Sequence, residues 1–145
     1  MKALIVNGDD FGASRGINRG ILEAHEHGIL TSTSLLVNAP GSEEARGLPR
    51  RAPAMSVGLH ADLGEDPART FVSPLRLRAE LDGQLSRFLD LVGRMPTHLD
   101  AHHNVHREAV LLPVFLAFAR DHGLPLREHS PVRYFSKFYG QWGGR

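Results

Sequence analysis

The histidine-rich segment Thr97–His106 holds four histidines and one aspartate in ten consecutive residues. Neutral imidazole is the commonest protein ligand for divalent metal ions. His102, His103 and His106 stand one and four residues apart, a spacing that lets one or two rings reach a common centre. Such a density of imidazoles indicates metal binding or proton transfer, and a polar, solvated turn is the alternative interpretation.

Two adjacent aspartates form a second candidate cluster near the start of the chain. Asp9 and Asp10 lie between two glycines, directly after the apolar run Ala3–Asn7. The run predicts a buried parallel strand, and the carboxyl ends of such strands collect ligand and catalytic groups in α/β proteins. Since consecutive side chains of an extended backbone point apart, one aspartate can bind a metal while the other faces an attacking water. The alternative is a turn with one aspartate capping the next helix, although Ser14 is already a good N-cap residue.

His60 stands in a similar place, at the end of the predicted strand Met55–His60. Parallel strands joined by right-handed crossovers bring their carboxyl ends to one edge of the sheet. We therefore expect His60 beside Asp9 and Asp10, although about fifty residues separate them. A hydrogen-bonded histidine at a strand end is the alternative for His60 alone.

Strands and helices alternate along the chain, which predicts an α/β domain with a parallel sheet. Apolar residues at steps of three and four mark the helices, and capping residues and glycines mark their ends. A polar loop over residues 61–73 is expected at the rim of the site, and the aromatic tail 132–145 needs a surface to cover. The predicted strands are Ala3–Asn7, Leu30–Val37, Met55–His60, Thr97–Asp100 and Leu124–Glu128, and the predicted helices run from Arg15 to about His27, from Ser42 to about Leu48, from Pro74 to Val92 and from about Pro113 to His122.

The composition is that of one compact domain. The chain has 145 residues, 41% of them hydrophobic, which is enough for a single core. Its net charge is +1 and its basic residues are scattered, so nucleic acid is not an expected partner. Because the chain has no cysteine, any metal must be bound by His, Asp or Glu. The apolar run at the start is too short for a signal peptide or a membrane span, so we expect a soluble, cytoplasmic protein.

One carboxylate and two imidazoles from three strand ends make a facial ligand set that leaves positions on a metal open for water and substrate. A divalent ion in such a site lowers the pKa of bound water to about 7 and polarises a carbonyl or phosphoryl oxygen, while a second carboxylate accepts the proton. The sequence therefore predicts a metal-dependent hydrolase. These ligand types suit zinc, whereas magnesium takes more oxygen ligands and water.

Four segments resemble the signature motifs of the YdjC-like (ChbG-like) carbohydrate deacetylases, in the family's order and over essentially the whole chain. The segments are Asn7–Gly12, Thr31–Thr33, Gly58–His60 and Pro96–His106. This resemblance implies a (β/α) barrel-like α/β fold with parallel strands. It also implies metal-dependent removal of acetyl groups from N-acetylated sugars such as chitooligosaccharides.

The resemblance further implies a role for each candidate residue. Asp10, His60 and His102 would be the metal ligands, with magnesium or zinc as the cofactor. Asp9 would be the catalytic base, and the reverse assignment of the two aspartates stays open. His106 would be a second catalytic residue that orients the site or contacts substrate, and His103 would lie behind the ligands.

The chain is shorter than a closed eight-stranded barrel, which typically needs ~250 residues. We therefore expect a single domain over residues 1–145 with about five βα units, without the C-terminal part of the family fold. The edge left after the fifth strand predicts a homo-oligomer. Two other functions stay open: a metal-dependent phosphoesterase, against which the lack of a basic cluster near the histidines counts, and a shortened protein that binds metal or sugar without catalysis.

Overall fold

Four parallel strands form the sheet of this protein, in the order β1-β2-β3-β4. The structure is a computed structural model that describes residues 3–71 and 73–135. Two register pairs matter for the site, because Ser34 pairs with Gly58 and His60 pairs with Asp100. The strands are β1 (Asn7–Phe11), β2 (Ser32–Leu35), β3 (Ser56–Ala61) and β4 (Leu99–Ala101).

Helices connect the strands, and their ends follow the predicted capping signals. The Ser14 side chain accepts a hydrogen bond from the backbone N–H of Ile17 at the start of the first helix. Gly93 and Gly123 adopt left-handed conformations after the fourth and fifth helices, as C-terminal glycines do. The helices are α1 (Arg15–Glu26), α2 (Leu48–Arg51), α3 (Pro67–Thr70), α4 (Pro74–Val92) and α5 (Leu112–His122), and 3-10 turns cover Ser42–Gly47 and His102–Arg107.

The two faces of the sheet differ in chemistry because side chains alternate along each strand. Leu35, Leu59 and Leu99 are fully buried neighbours in register and belong to the apolar core, together with residues of α4 and α5. Three residues next to them in sequence are polar and buried: Ser34, His60 and Asp100. The sheet therefore packs on one face and carries a buried polar network on the other.

The first predicted strand is wrong in its position. Ala3–Val6 does not belong to the sheet, and Leu4 and Ile5 are 71% and 58% exposed. The ladder with β2 begins only at Asn7, which pairs with Ser32. The apolar run therefore leads into the sheet, and the two aspartates lie within β1 and not after it.

The fifth predicted strand is reduced to one bridge. Leu126 pairs with Leu99 of β4, and the backbone N–H of Arg127 donates to the Leu99 carbonyl. A single bridge still fixes the chain beside β4, which brings Arg127 to the polar face. Four parallel strands alternating with helices confirm the α/β class, and closure into a barrel remains a prediction.

The other predicted elements are confirmed with ends shifted by a few residues. The helix expected from Ser42 begins as a 3-10 turn and continues as α2, because Pro49 fits the first turn of a helix and does not end it. Most of the aromatic tail, including Trp142, lies outside the described residues. Among the described helices, none has both the length and the apolar character needed to cross a membrane.

Candidate metal centre

Asp10, His60 and His102 come together at one end of the sheet. Each offers a ligand atom, and these atoms all lie within 4.8 Å of one another. Asp10 Oδ1 is 3.2 Å from His60 Nε2 and 3.0 Å from His102 Nδ1. Bonds of about 2 Å to a zinc ion leave neighbouring ligand atoms about 3 Å apart, so this spacing fits a single divalent ion.

The Asp10 carboxylate gives a direct test of that fit. Its Oδ1 atom is buried, yet neither nearby ring nitrogen meets it with hydrogen-bond geometry. Contact with His60 lowers the pKa of Asp10 in spite of burial, and His102 adds to this effect. An ionised oxygen set between two imidazole nitrogens that are not aligned as donors is what a shared cation requires. The donor set therefore fits a divalent metal.

A bulge in β1 explains why both aspartates face the same cavity. The register with β2 shifts between Gly8 and Phe11, and Asp10 has a left-handed φ of 70°. Bulges of this kind turn a side chain away from the regular alternation of a strand. Asp9 and Asp10 consequently line the same cavity.

His60 is held from behind by a buried carboxylate. Its Nδ1 atom is 2.6 Å from Asp100 Oδ1, and this contact follows from the register pairing of the two residues. Burial disfavours the charged ring, but the close contact with Asp10 and the hydrogen bond to Asp100 outweigh that effect and raise the pKa of His60 to about 9. His60 therefore presents Nε2 to the cavity with a fixed ring orientation.

His102 opens the segment that forms the other wall of the cavity. Its ring meets the ring of His60 edge to face, with 5.4 Å between centroids. The next two residues, His103 and Asn104, both have left-handed φ angles of 54° and 55°. The segment thus folds back over the centre, and it bounds a cavity of about 120 Å³ lined by Asp9, Asp10, His60, Ala101, His102, His103 and Asn104.

Asp9, the predicted base, is fixed by an arginine from the far end of the chain. Arg127 binds it through two hydrogen bonds of 2.8 and 2.6 Å, and Asn7 donates a third of 2.7 Å. Burial opposes the charge of Arg127, but the contacts with Asp9 and Asp100 raise its pKa further above the ordinary value. Asp9 is therefore fixed in position at the edge of the cavity.

His103 and His106 differ in where they lie relative to the cavity. The family resemblance predicts His103 behind the ligands, and in the structure His103 lines the cavity. His106 is fully buried between Phe115 and His129, with neither ring nitrogen hydrogen-bonded to a described residue. Burial lowers its pKa, which keeps the ring neutral. His106 is not among the described residues that line the cavity, and its catalytic role stays a prediction.

Sequence reasoning missed Arg127 and Asn104 as residues of the site. Arg127 lies near the carboxyl end of the predicted strand Leu124–Glu128, much as His60 ends its own predicted strand, so the rule of strand ends could have found it. Asn104 carries no such signal, because its place depends on two left-handed residues that spacing does not reveal.

Comparison with known proteins is consistent with this site. The profile of the YdjC-like protein family matches residues 3–142. The chitooligosaccharide deacetylase of Serratia marcescens is 40% identical over 149 residues, covering 87% of this chain and 59% of that protein. The carbohydrate deacetylase of Brevibacillus brevis is 38% identical over 146 residues, covering 86% of this chain and 58% of that protein.

Other matches extend further or concern structure. The chitooligosaccharide deacetylase of Klebsiella pneumoniae (strain 342) is 37% identical over 177 residues, covering 97% of this chain and 70% of that protein. A crystal structure from Enterococcus faecalis V583, of a protein named for cellobiose-phosphate cleavage, superposes with a TM-score of 0.75 at 35% identity, covering 84% of this chain and 57% of that one. The chain thus spans about three fifths of the length of several relatives. It belongs to the YdjC-like protein family.

Proposed function

We propose that this chain holds the metal site of a hydrolase that removes the acetyl group from an N-acetylated sugar of the chitooligosaccharide type. The convergence of Asp10, His60 and His102 is the observation that carries this proposal. The names of the relatives from Serratia marcescens and Brevibacillus brevis support the substrate class. We further propose one domain over residues 1–145, in a barrel-like arrangement that the relatives' additional residues would extend.

The proposed cofactor is one divalent ion, zinc or magnesium, bound by Asp10 Oδ1, His60 Nε2 and His102 Nδ1. Two imidazoles and one carboxylate favour zinc. When bound, such an ion supplies a Lewis acid for the acetamide carbonyl and lowers the pKa of water. With three protein ligands, positions for water and substrate stay open.

Asp9 is the proposed base that accepts a proton from the attacking water. Asn7 and Arg127 together take both lone-pair positions of Oδ1, whereas Oδ2 accepts one described hydrogen bond, from Arg127. Each carboxylate oxygen has two lone-pair positions, so Oδ2 keeps one for a proton from water. The position of Asp10 between two imidazoles supports its role as ligand and the role of Asp9 as base.

Asn104 is the proposed contact for the acetamide group. Its Oδ1 atom is buried without a hydrogen-bond partner among the described residues, and the residue lines the cavity. A cavity of about 120 Å³ has room for a small group such as an acetamide. The sugar would then lie outside, against the rim.

Acetate release from diacetylchitobiose by the zinc-loaded chain tests the proposal. We expect Asp9→Asn to lower the rate by about 10²-fold or more, in line with loss of a general base, without loss of zinc. His102→Ala should lose both zinc and activity. The control is Asp62→Asn, because the exposed Asp62 carboxylate caps a rim loop without lining the cavity.

Each alternative function predicts a different outcome when phosphomonoester hydrolysis and zinc binding are measured beside acetate release. Phosphomonoester hydrolysis without acetate release would indicate the phosphoesterase, although Arg127 is already engaged by two carboxylates. Zinc binding without turnover of either substrate would indicate a non-catalytic binding protein. We also propose self-association through the edge left after the fifth predicted strand, which gel filtration at several concentrations measures.

A further inference from the structure

A set of hydrogen bonds, closed by one ion pair, joins the candidate base to a candidate metal ligand. Asn7 Nδ2 donates to Asp9 Oδ1 and to Ser34 Oγ, at 2.7 and 2.9 Å. Ser34 Oγ donates to Asp100 Oδ2 at 2.7 Å, and Arg127 completes the set by binding both Asp100 and Asp9. Asp100 is fully buried and has His60 Nδ1 on its other oxygen.

The hydrogen-bonding capacity of these groups fixes the direction of each bond. Arg127 is a cation without acceptors, so its ion pair with Asp100 places negative charge on Oδ2. Ser34 has a single hydroxyl proton, and donating it to Asp100 leaves its lone pairs for Asn7 and for His98 Nε2, which lies 3.0 Å away. With the Ser34 hydrogen bond and the Arg127 charge both at Oδ2, the carboxylate is ionised and Oδ1 is an acceptor as well. The short contact of His60 therefore requires a proton on Nδ1.

We propose that Asp100, oriented by Arg127, is a positioning residue that selects the His60 tautomer with its Nε2 lone pair directed at the metal centre. The carboxylate acts through His60 and touches neither substrate nor reacting atoms. Buried partners of this kind fix the orientation of metal-binding histidines and raise their basicity. The inference rests on the proposed function only for the use of the centre, because the proton on His60 Nδ1 is a property of the metal-free protein as well.

The isosteric change Asp100→Asn reverses this selection. Since Arg127 can only donate, the new amide has to turn its oxygen towards Arg127 and its NH₂ group towards His60 Nδ1. His60 Nδ1 then becomes an acceptor, and the proton of the neutral ring moves to Nε2, where it blocks the lone pair that would bind the ion. The side chain keeps its volume while the direction of one hydrogen bond changes.

Zinc affinity of the full chain, measured by competition with a chelator, is the first readout. We expect Asp100→Asn to weaken zinc binding about 10–100-fold, the range found when partners of metal-bound histidines are changed. The matched control is Ser34→Ala, which removes one hydrogen bond from the same carboxylate but leaves the contact between Oδ1 and His60. This control should weaken zinc binding much less than tenfold. Equal affinity in wild type and Asp100→Asn would overturn the inference.

Nitrogen-15 NMR of the histidine rings in the metal-free protein is the second readout. A loss of packing alone would not move the proton between ring nitrogens. We expect a proton on His60 Nδ1 in the wild type, whether the ring is neutral or charged, and its loss in Asp100→Asn. A wild-type ring protonated on Nε2 alone would overturn the inference even where zinc binds, and this spectrum decides the matter should the variant not fold. Conversely, absence of zinc binding with the Nδ1 proton in place would count against the proposed function and leave the inference standing.

Discussion

At the scale of single residues, the site depends on charges that compensate one another in a buried setting. Burial alone would raise the pKa of Asp100, but the hydrogen bond and charge of His60 and the charge of Arg127 lower it to about 2. An unpaired carboxylate at this depth would be strongly destabilising, so the partners are needed for folding as well as for the site. The residue types at strand ends reveal Asp9, Asp10 and His60, whereas the pairing of Asp9 with Arg127, 118 positions away, is a tertiary contact that no local pattern contains.

The charged state of Asp100 predicts how the metal-free protein responds to acid. The pKa of Asp100 is about 2 in the folded chain and 3.8 when unperturbed. The ionised carboxylate therefore adds to the free energy of unfolding above pH 4, and this contribution is lost as the pH falls towards 2. The difference between these two pKa values corresponds to a contribution to the free energy of unfolding on the order of 2 kcal/mol. Urea unfolding between pH 5 and pH 2 should show a steeper loss of stability for the wild type than for Asp100→Asn. Parallel curves for the two proteins would contradict the assignment.

At the scale of elements, the strands place the polar groups by register and by two local departures from regular geometry. The bulge in β1 turns Asp10 into the cavity, and the left-handed pair His103 and Asn104 folds the wall of the cavity over it. Hydrophobic periodicity predicted α1, α4 and α5 well, because each buries an apolar stripe and ends at a capping signal. It misplaced β1, since an apolar run does not show where the ladder with β2 begins.

Gly58 of β3 allows the ring of His98 to pack closely against the strand behind the site. A Cβ atom there would lie 2.3 Å from the ring of His98, which is hydrogen-bonded to Ser34. Gly58→Ala should therefore lower the free energy of unfolding by about 1–3 kcal/mol through overpacking. The control Gly83→Ala lies in the middle of α4, where a Cβ meets nothing within 4 Å, and should raise it by about 0.5–1 kcal/mol. Equal effects of the two changes in urea unfolding would contradict this packing.

At the scale of the whole molecule, four parallel strands carry a site assembled from both ends of the chain. The α/β class and the edge that gathers the candidate ligands follow from the alternation of elements and from the right-handed crossover rule. The sequence predicts five strands, whereas the described sheet has four, because the fifth predicted strand forms one bridge with β4. The chain belongs to the YdjC-like family and spans about three fifths of several relatives, so its metal site can be tested apart from turnover.

Zinc titration of the metal-free chain by calorimetry tests the central claim most directly. The wild type is expected to bind one ion per chain, whereas His60→Ala and His102→Ala should each weaken binding by at least about 10²-fold because a direct ligand is lost. His103→Ala is the matched control, since this ring lines the same cavity outside the three-residue cluster, and it should bind zinc as the wild type does. Zinc bound equally by all four proteins, or by none of them, would contradict a centre built from Asp10, His60 and His102.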